Sequence, residues 1–320
     1  MRHMLSIVMY HYVREIENSE YPGIKGLELE KFRKQIDFFT KNYHVVRMED
    51  VLADVSGERK LPENAMLLTF DDGYLDHYKN VYPILKENKI QGSFFMASKV
   101  LQKDQARDTN KIHYILASRD TEDIIPVLND KLDILRQEGY QIEDNETLMK
   151  KLGHANRWDS AETIFIKRLL QTYLPEQLRN RVTGEMFDEI VGIPESQFVK
   201  KIYLTMNQIQ EMKDGGMFFG LHGRDHSWMN QIPLEQAKEE IQSCKQFFSN
   251  VIDPNCWVMN FPFGGYSDEL IDYIKGEGCA LGLSVEARMA TLAQKELYTL
   301  PRFDTNDFPP VSERYKELSN

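Results

Sequence analysis

Asp71 and Asp72 stand side by side at the end of the apolar run Leu67-Leu68-Thr69-Phe70, and Gly73 follows at once. Adjacent like charges repel, and burying them costs several kcal/mol unless a cation or hydrogen-bond donors offset it. A strand that delivers two carboxylates to its C-terminal end makes sense if one binds a metal ion and the other works as a base. The same pair also suits a helix start, as an N-cap and a first-turn acid. His222-Gly223-Arg224-Asp225-His226 supplies the second half of a site. It follows the apolar run Met217–Leu221, and its two histidines, four apart, can converge with Asp72 on one ion. Two nitrogens and one oxygen suit zinc or a similar divalent metal, with positions left for water and substrate. Taken alone, histidines at that spacing more often share a solvated helix face.

Short apolar runs must carry these groups. Strands are expected at Leu5–Val13, His44–Arg47, Ala65–Phe70, Ser93–Ala97, Met217–Leu221, Trp257–Phe261 and Cys279–Val285. Helical patterns lie between them at Glu28–Asn42, Tyr74–Asn88, Asn207–Lys213, Pro233–Ser249 and Ser267–Gly276. In Glu28–Asn42, for example, Phe32, Ile36 and Phe39 recur at spacings of four and three. The alternation implies an α/β fold on a mostly parallel sheet, closed or nearly closed into a (β/α) barrel. Such barrels keep their chemistry at the strand C-terminal ends. Residues 101–203 break the rhythm, with helical patterns at Glu122–Gln137, Asn145–Gly153 and Ser160–Tyr173 and the run Glu176–Ile190. The expected organisation is one catalytic domain over 1–320 with a helical insertion at 101–203.

The 42% hydrophobic and 28% charged residues of this 320-residue chain are ordinary for a globular domain able to bury a sizeable core. The net charge of −11 argues against a nucleic-acid partner and against docking on anionic lipid. No segment approaches the roughly eighteen consecutive apolar residues of a membrane span. The N-terminal apolar run is too short for a signal-peptide core and lacks a small-residue cleavage site. Cys244, Cys256 and Cys279 are odd in number and widely spaced, which disfavours a disulfide framework, and a cytoplasmic location is expected. Neither a G-x-S-x-G elbow nor a phosphate-cradling glycine loop is present.

Thr69-Phe70-Asp71-Asp72-Gly73, His222–His226 and Phe261-Pro262-Phe263-Gly264-Gly265, in that order and each after an apolar run, resemble the first three motifs of the polysaccharide deacetylases. This is the NodB-homology group of carbohydrate esterases, and the resemblance covers roughly 1–100 and 200–310. It implies a distorted (β/α)7 TIM-like barrel and metal-dependent removal of N-acetyl groups from a saccharide. By the match, Asp71 is the general base, and Asp72, His222 and His226 are the ligands of one divalent metal. Zinc is expected, and the same ligands accept Co2+, Ni2+, Mn2+ or Fe2+. Pro262, Phe263 and Gly264 fit a groove wall, and Tyr74 is a candidate sugar contact among the aromatics flanking the motifs.

The chain also departs from the pattern. Gly223 replaces the more usual Ser or Thr, Asn260 stands where the third motif usually begins with arginine, and no histidine follows His226. A circularly permuted branch active on poly-N-acetylglucosamine lacks the same arginine and places the equivalent strand first. Resemblance to that branch makes His11, at the end of the first expected strand, the general acid. Arg302 is expected to stand in for the missing arginine beside Asp71, and Asp304, two residues on, to orient His11. A surface salt bridge or a closing-strand anchor is the alternative for that pair. His77 reads as a helix-face residue. The expected substrate is an N-acetylated saccharide or glycan precursor. The rival readings are hydrolysis of another C–N bond, of imide or allantoin type, and an inactive glycan-binding relative.

Overall fold

In the computed structural model, which describes residues 4–156 and 159–318, the apolar runs lie side by side as a parallel sheet. Six strands follow one another in it: β1 (Met4–Tyr10), β2 (Ala65–Asp71), β3 (Ser93–Met96), β4 (Phe218–Leu221), β5 (Trp257–Asn260) and β6 (Cys279–Leu283). β1 and β2 pair in parallel from Leu5↔Ala65 to Tyr10↔Phe70. A short strand β7 (Phe303–Asp304) runs parallel to β1 at Val8 and Met9, and Leu300 just before it bridges to Leu283 of β6. The segment from Leu300 to Asp304 thus spans the gap between β6 and β1 and curls the sheet nearly shut. Parallel strands bring all their C-terminal ends to one rim, which is where Asp71 lies.

Both faces of the strands are apolar because both are covered. Leu5, Ile7, Leu67, Phe95, Val258, Leu281 and Leu283 pack together in one cluster. Val8, Tyr10, Met66, Leu68, Phe70, Phe94, Phe219 and Met259 belong to the other, with Phe32, Ile36 and Phe39 of the helix Leu29–Asn42. Successive residues of one strand therefore enter different clusters, as a two-residue period requires.

Two elements differ from expectation in ways that matter for the site. β1 stops at Tyr10, and Val13–Arg14 forms a separate two-residue strand beside Leu27–Glu28, which leaves His11 in the link between them. The helix expected from Tyr74 starts later, with a π turn at His77–Val81 that runs on into Tyr82–Glu87. Pro83 explains the wider turn: it has no N–H to give the carbonyl four residues back, and its ring crowds that carbonyl.

Contacts divide the chain into two units. The first comprises the residues up to Glu15, Gly26–Asp104 and everything from Lys200 onward; the second comprises Ile16–Lys25 and Gln105–Val199. The second unit is helical, with Asp108–Ser118, Thr121–Gln137, Asn145–Leu152, Ala161–Arg168 and Glu176–Ile190. Its own core includes Ile112, Leu128, Leu132, Leu169, Met186 and Phe198, the last with its ring 4.7 Å from both Tyr114 and Phe187. Among the described residues no helix is long and apolar enough to cross a membrane.

Candidate metal centre

After Asp71 the chain leaves β2 through two consecutive left-handed residues, Asp72 (φ +80°) and Gly73 (φ +69°). His226 (φ +61°) and Phe263 (φ +55°) share this conformation. It costs a residue bearing a Cβ about 1–2 kcal/mol and persists where surrounding structure overdetermines it. Here the turns aim three side chains at one point. His226 Nε2 lies 3.1 Å from His222 Nε2 and 3.2 Å from Asp72 Oδ1, and the third edge of the triangle, His222 Nε2 to Asp72 Oδ1, is 3.8 Å. Ligands about 2.1 Å from a tetrahedral ion sit ~3.4 Å apart, so these edges fit a divalent metal.

The neighbours of the triangle prepare it for that role. His222 donates its Nδ1–H to the Asn260 carbonyl at 2.7 Å, which leaves a lone pair on Nε2 facing inward. Burial, reinforced by His226, pushes the His222 imidazole down to about 3, so it is held in the neutral, ligating form. Tyr74 donates its hydroxyl to Asp72 Oδ2 at 2.7 Å, leaving Oδ1 for the triangle. Behind the histidine loop, buried Glu240 accepts the Asp225 N–H through Oε2 at 3.1 Å, and burial pushes its carboxyl up.

Asp71 sits beside the triangle, only 2% exposed, and is gripped by Arg302, 1% exposed. Nη1 donates to Oδ1 at 2.8 Å and Nη2 to Oδ2 at 2.9 Å. The remaining guanidinium hydrogens go to Thr69 Oγ1 (3.1 Å), Asn260 Oδ1 (2.8 Å) and the Ser284 carbonyl (2.8 Å), so all five donors are used. Burial pushes the Asp71 carboxyl up, but Arg302, helped by His222 and His11, outweighs it and holds the group at about 2. Asn260, where the family motif usually has its arginine, thus offers an acceptor to an arginine arriving from another strand.

His11 lies on the other side of Asp71, with Nε2 3.9 Å from Oδ2 and its side chain 44% exposed. Beneath it, His77 is fully buried and donates Nε2–H to the His11 carbonyl at 3.0 Å, and burial pushes this imidazole down to about 4. On the side of the metal triangle, Phe263 packs 4.7 Å from the His226 ring and stacks at 4.4 Å on Trp228. Pro262, Phe263 and Gly264 form the short turn that makes this wall, with Phe263 half-buried and Pro262 buried.

The structure therefore brings together Asp71, Asp72, His222, His226, Arg302 and His11. Two expectations need correction. Tyr74 is 1% exposed, stacked on Tyr12 at 4.0 Å, and its hydroxyl is committed to Asp72, so it is placed to support a ligand and not to meet a sugar. Asp304 does not reach His11; its Oδ1 accepts from the Asn306 N–H at 2.8 Å and caps the turn Thr305–Asp307. β7 covers only Phe303 and Asp304, so strand alternation does not align Asp304 with Arg302. Sequence reasoning missed Glu240 and the role of His77, whose helix face is buried against Phe70 and Phe94.

Similarity to known proteins covers the residues that carry this site. The polysaccharide deacetylase family model aligns with residues 58–153 and 183–281, which hold Asp71, Asp72, His222, His226 and the Pro262–Gly264 turn. His11, Arg302 and Asp304 fall outside the matched residues. YxkH of Bacillus subtilis (strain 168), provisionally named a polysaccharide deacetylase, is 19% identical over 299 residues, covering 93% of this chain and 70% of that protein. Among solved structures, the Streptococcus pyogenes deacetylase PplD in complex with acetate superposes with a TM-score of 0.61 at 16% identity, covering all of both chains. IcaB from Ammonifex degensii gives 0.56 at 16% identity, covering 97% of this chain and 95% of its own. At such identities the structures speak for the fold, which they share. The family match spans more than half of the chain and contains the metal triangle with its neighbouring carboxylate: the chain belongs to the polysaccharide deacetylase family.

Proposed function

We propose that this family member hydrolyses the N-acetyl group of an acetylated saccharide at the Asp71–Asp72–His222–His226 centre, with Asp71 as base and His11 as acid. The observation that carries the reading is the pairing of a preformed two-histidine, one-carboxylate triangle with a second carboxylate that Arg302 keeps ionised beside it. A divalent ion held by Asp72, His222 and His226 supplies Lewis-acid polarisation of water and of the acetyl carbonyl. Asp71, fixed as an anion with its lone pairs directed by Arg302, takes the proton from the attacking water. When the C–N bond breaks, His11 passes a proton to the departing amine nitrogen, which neutral water does poorly. Acetate and the free amino sugar result.

Zinc is the proposed ion, because neutral imidazole and a single carboxylate at tetrahedral spacing suit it; cobalt, nickel, manganese and iron(II) are accepted by the same donors. The half-buried Phe263–Trp228 pair offers an aromatic face to a pyranose ring. A glycan precursor within the cytoplasm is the proposed substrate source, supported by three unpaired cysteines, one of them, Cys256, exposed. Acetate release from a panel of N-acetylated saccharides is the test, run on wild type, Asp71→Asn and chelator-stripped protein. Acetate from wild type alone, restored to the stripped sample by zinc, is the expected result. Acetate from none of the metal-loaded samples would overturn the reading.

A further inference from the structure

We infer that Asp76, His77 and Asn80 form a clamp that aims His11 at Asp71, a positioning role that rests on His11 being the proton donor proposed above. His11 needs such a device. Its ring is 44% exposed, 3.9 Å from Asp71 Oδ2 is beyond hydrogen-bond length, and among the described residues no hydrogen bond holds the imidazole itself. Its direction must therefore come from its backbone, which lies in the link between β1 and Val13–Arg14 and not in the sheet.

That link is held at successive points by side chains of one turn. His77 Nε2 donates to the His11 carbonyl at 3.0 Å. Asp76 Oδ2 accepts the Val13 N–H at 3.2 Å and Arg14 Nε at 2.7 Å. Asn80 Nδ2 donates to the Val13 carbonyl at 2.8 Å. Asp76 is the N-cap residue of the π turn His77–Val81, and His77 and Asn80 lie within it, where its extra width departs from the spacing of an ordinary helix.

A histidine at position 77 carries a cost in stability. The side chain is fully buried among Phe70, Tyr74 and Phe94, and its Nδ1 has no hydrogen-bond partner among the described residues. An apolar ring of the same size would avoid the cost of that unsatisfied nitrogen. What it would lose is the bond to the His11 carbonyl. A buried polar group kept for one bond to the backbone of a proposed catalytic residue is a positioning device.

A double-mutant cycle tests it on the full-length, zinc-loaded protein with N-acetylglucosamine oligomers. His77→Phe is expected to lower kcat roughly ten- to a hundred-fold, the cost of a misplaced catalytic group, with KM nearly unchanged. His77→Gln, which restores a donor at a similar reach, is expected to recover most of it. In a His11→Ala background, His77→Phe should change kcat by less than about twofold, because its effect runs through His11. Multiplicative losses in that background would overturn the clamp. His11→Ala with full turnover would instead sink the general-acid reading and leave the clamp to a second readout. That readout is the histidine side-chain NMR spectrum: the His11 signal should shift and sharpen in His77→Phe and return in His77→Gln, while those of His222 and His226 stay in place. An unmoved His11 signal would overturn the clamp whatever the turnover. If His77→Phe does not fold, Asn80→Ala takes its place in the cycle and in the spectra, with the same criteria.

Discussion

Arg302 and Asp71 meet through two parallel bonds of 2.8 and 2.9 Å although 231 positions separate them in the chain. Both are almost fully buried, so each is the other's charge compensation. Removing one partner of such a pair strands the other, at about 3–5 kcal/mol. Arg302→Met is therefore expected to lower unfolding stability by roughly that amount and turnover by about a hundredfold or more. Urea unfolding and acetate release check the two effects; a variant with wild-type values in both would show that Asp71 does not depend on Arg302.

Acid should reveal the same pair. The Asp71 carboxyl is held at about 2 in the folded protein against 3.8 for the unperturbed group. The folded state thus binds this proton less tightly than the unfolded state. Its stabilising contribution, about 2 kcal/mol, is complete above the unfolded value and is lost as pH falls through the folded one. Urea unfolding of metal-free protein between about pH 5 and about pH 2 is expected to show this loss in wild type. In Arg302→Met, where burial alone acts on Asp71, the loss should vanish; an identical pH profile in both proteins would refute the assignment.

The Tyr74 hydroxyl donates to Asp72 Oδ2, and Tyr74→Phe removes that bond. The stack on Tyr12 is kept and the bond to Oδ2 goes. Outer-shell bonds of this kind are worth about 10–100-fold in metal affinity. Calorimetric titration with zinc is expected to show a loss in that range, with saccharide affinity little changed at saturating metal. Unaltered zinc affinity would return Tyr74 to the list of simple packing residues.

Gly223 stands where the family resemblance leads one to expect Ser or Thr, and its own backbone favours glycine. It is left-handed, with φ +76°, and an added Cβ would lie 2.7 Å from Met229 Cε. Gly223→Ser is expected to cost about 1–2 kcal/mol of stability and to bring no gain in zinc affinity. A more stable or tighter-binding serine variant would mean that the loop relaxes to an ordinary conformation.

Much of this was legible because the chemistry sits at strand ends. The apolar runs before Asp71 and His222 have the length and the unbroken apolar character of strands covered on both faces, and unlike ligand types ending strands of one parallel sheet have few places to meet but one rim. The support around them was not legible. Tyr74 reads equally well as a sugar contact or a prop, since the choice depends on how the left-handed turn at Asp72 and Gly73 swings the next residue. The place of Asp304 is not legible because strand alternation does not extend over a segment that pairs for only two residues. His77 reads as a helix-face residue, and its burial is not legible because the π turn ahead of Pro83 shifts which side of the helix each residue takes. Residues 16–25 carry no pattern at all that ties them to the helical unit formed with 105–199; that association is purely a matter of distant contacts.

The order in which the chain is made gives the closing segment one more consequence. At ~5–20 residues per second, Arg302 leaves the ribosome on the order of ten seconds or more after Asp71. Throughout that interval the carboxylate at the end of β2 has no cation to accompany it inward, so the rim around it stays open to water. A nascent or truncated product that stops short of Arg302 holds both aspartates and both histidines and still lacks the guanidinium that pairs with Asp71. Closure of the rim around Asp71 therefore waits on the segment that carries Arg302.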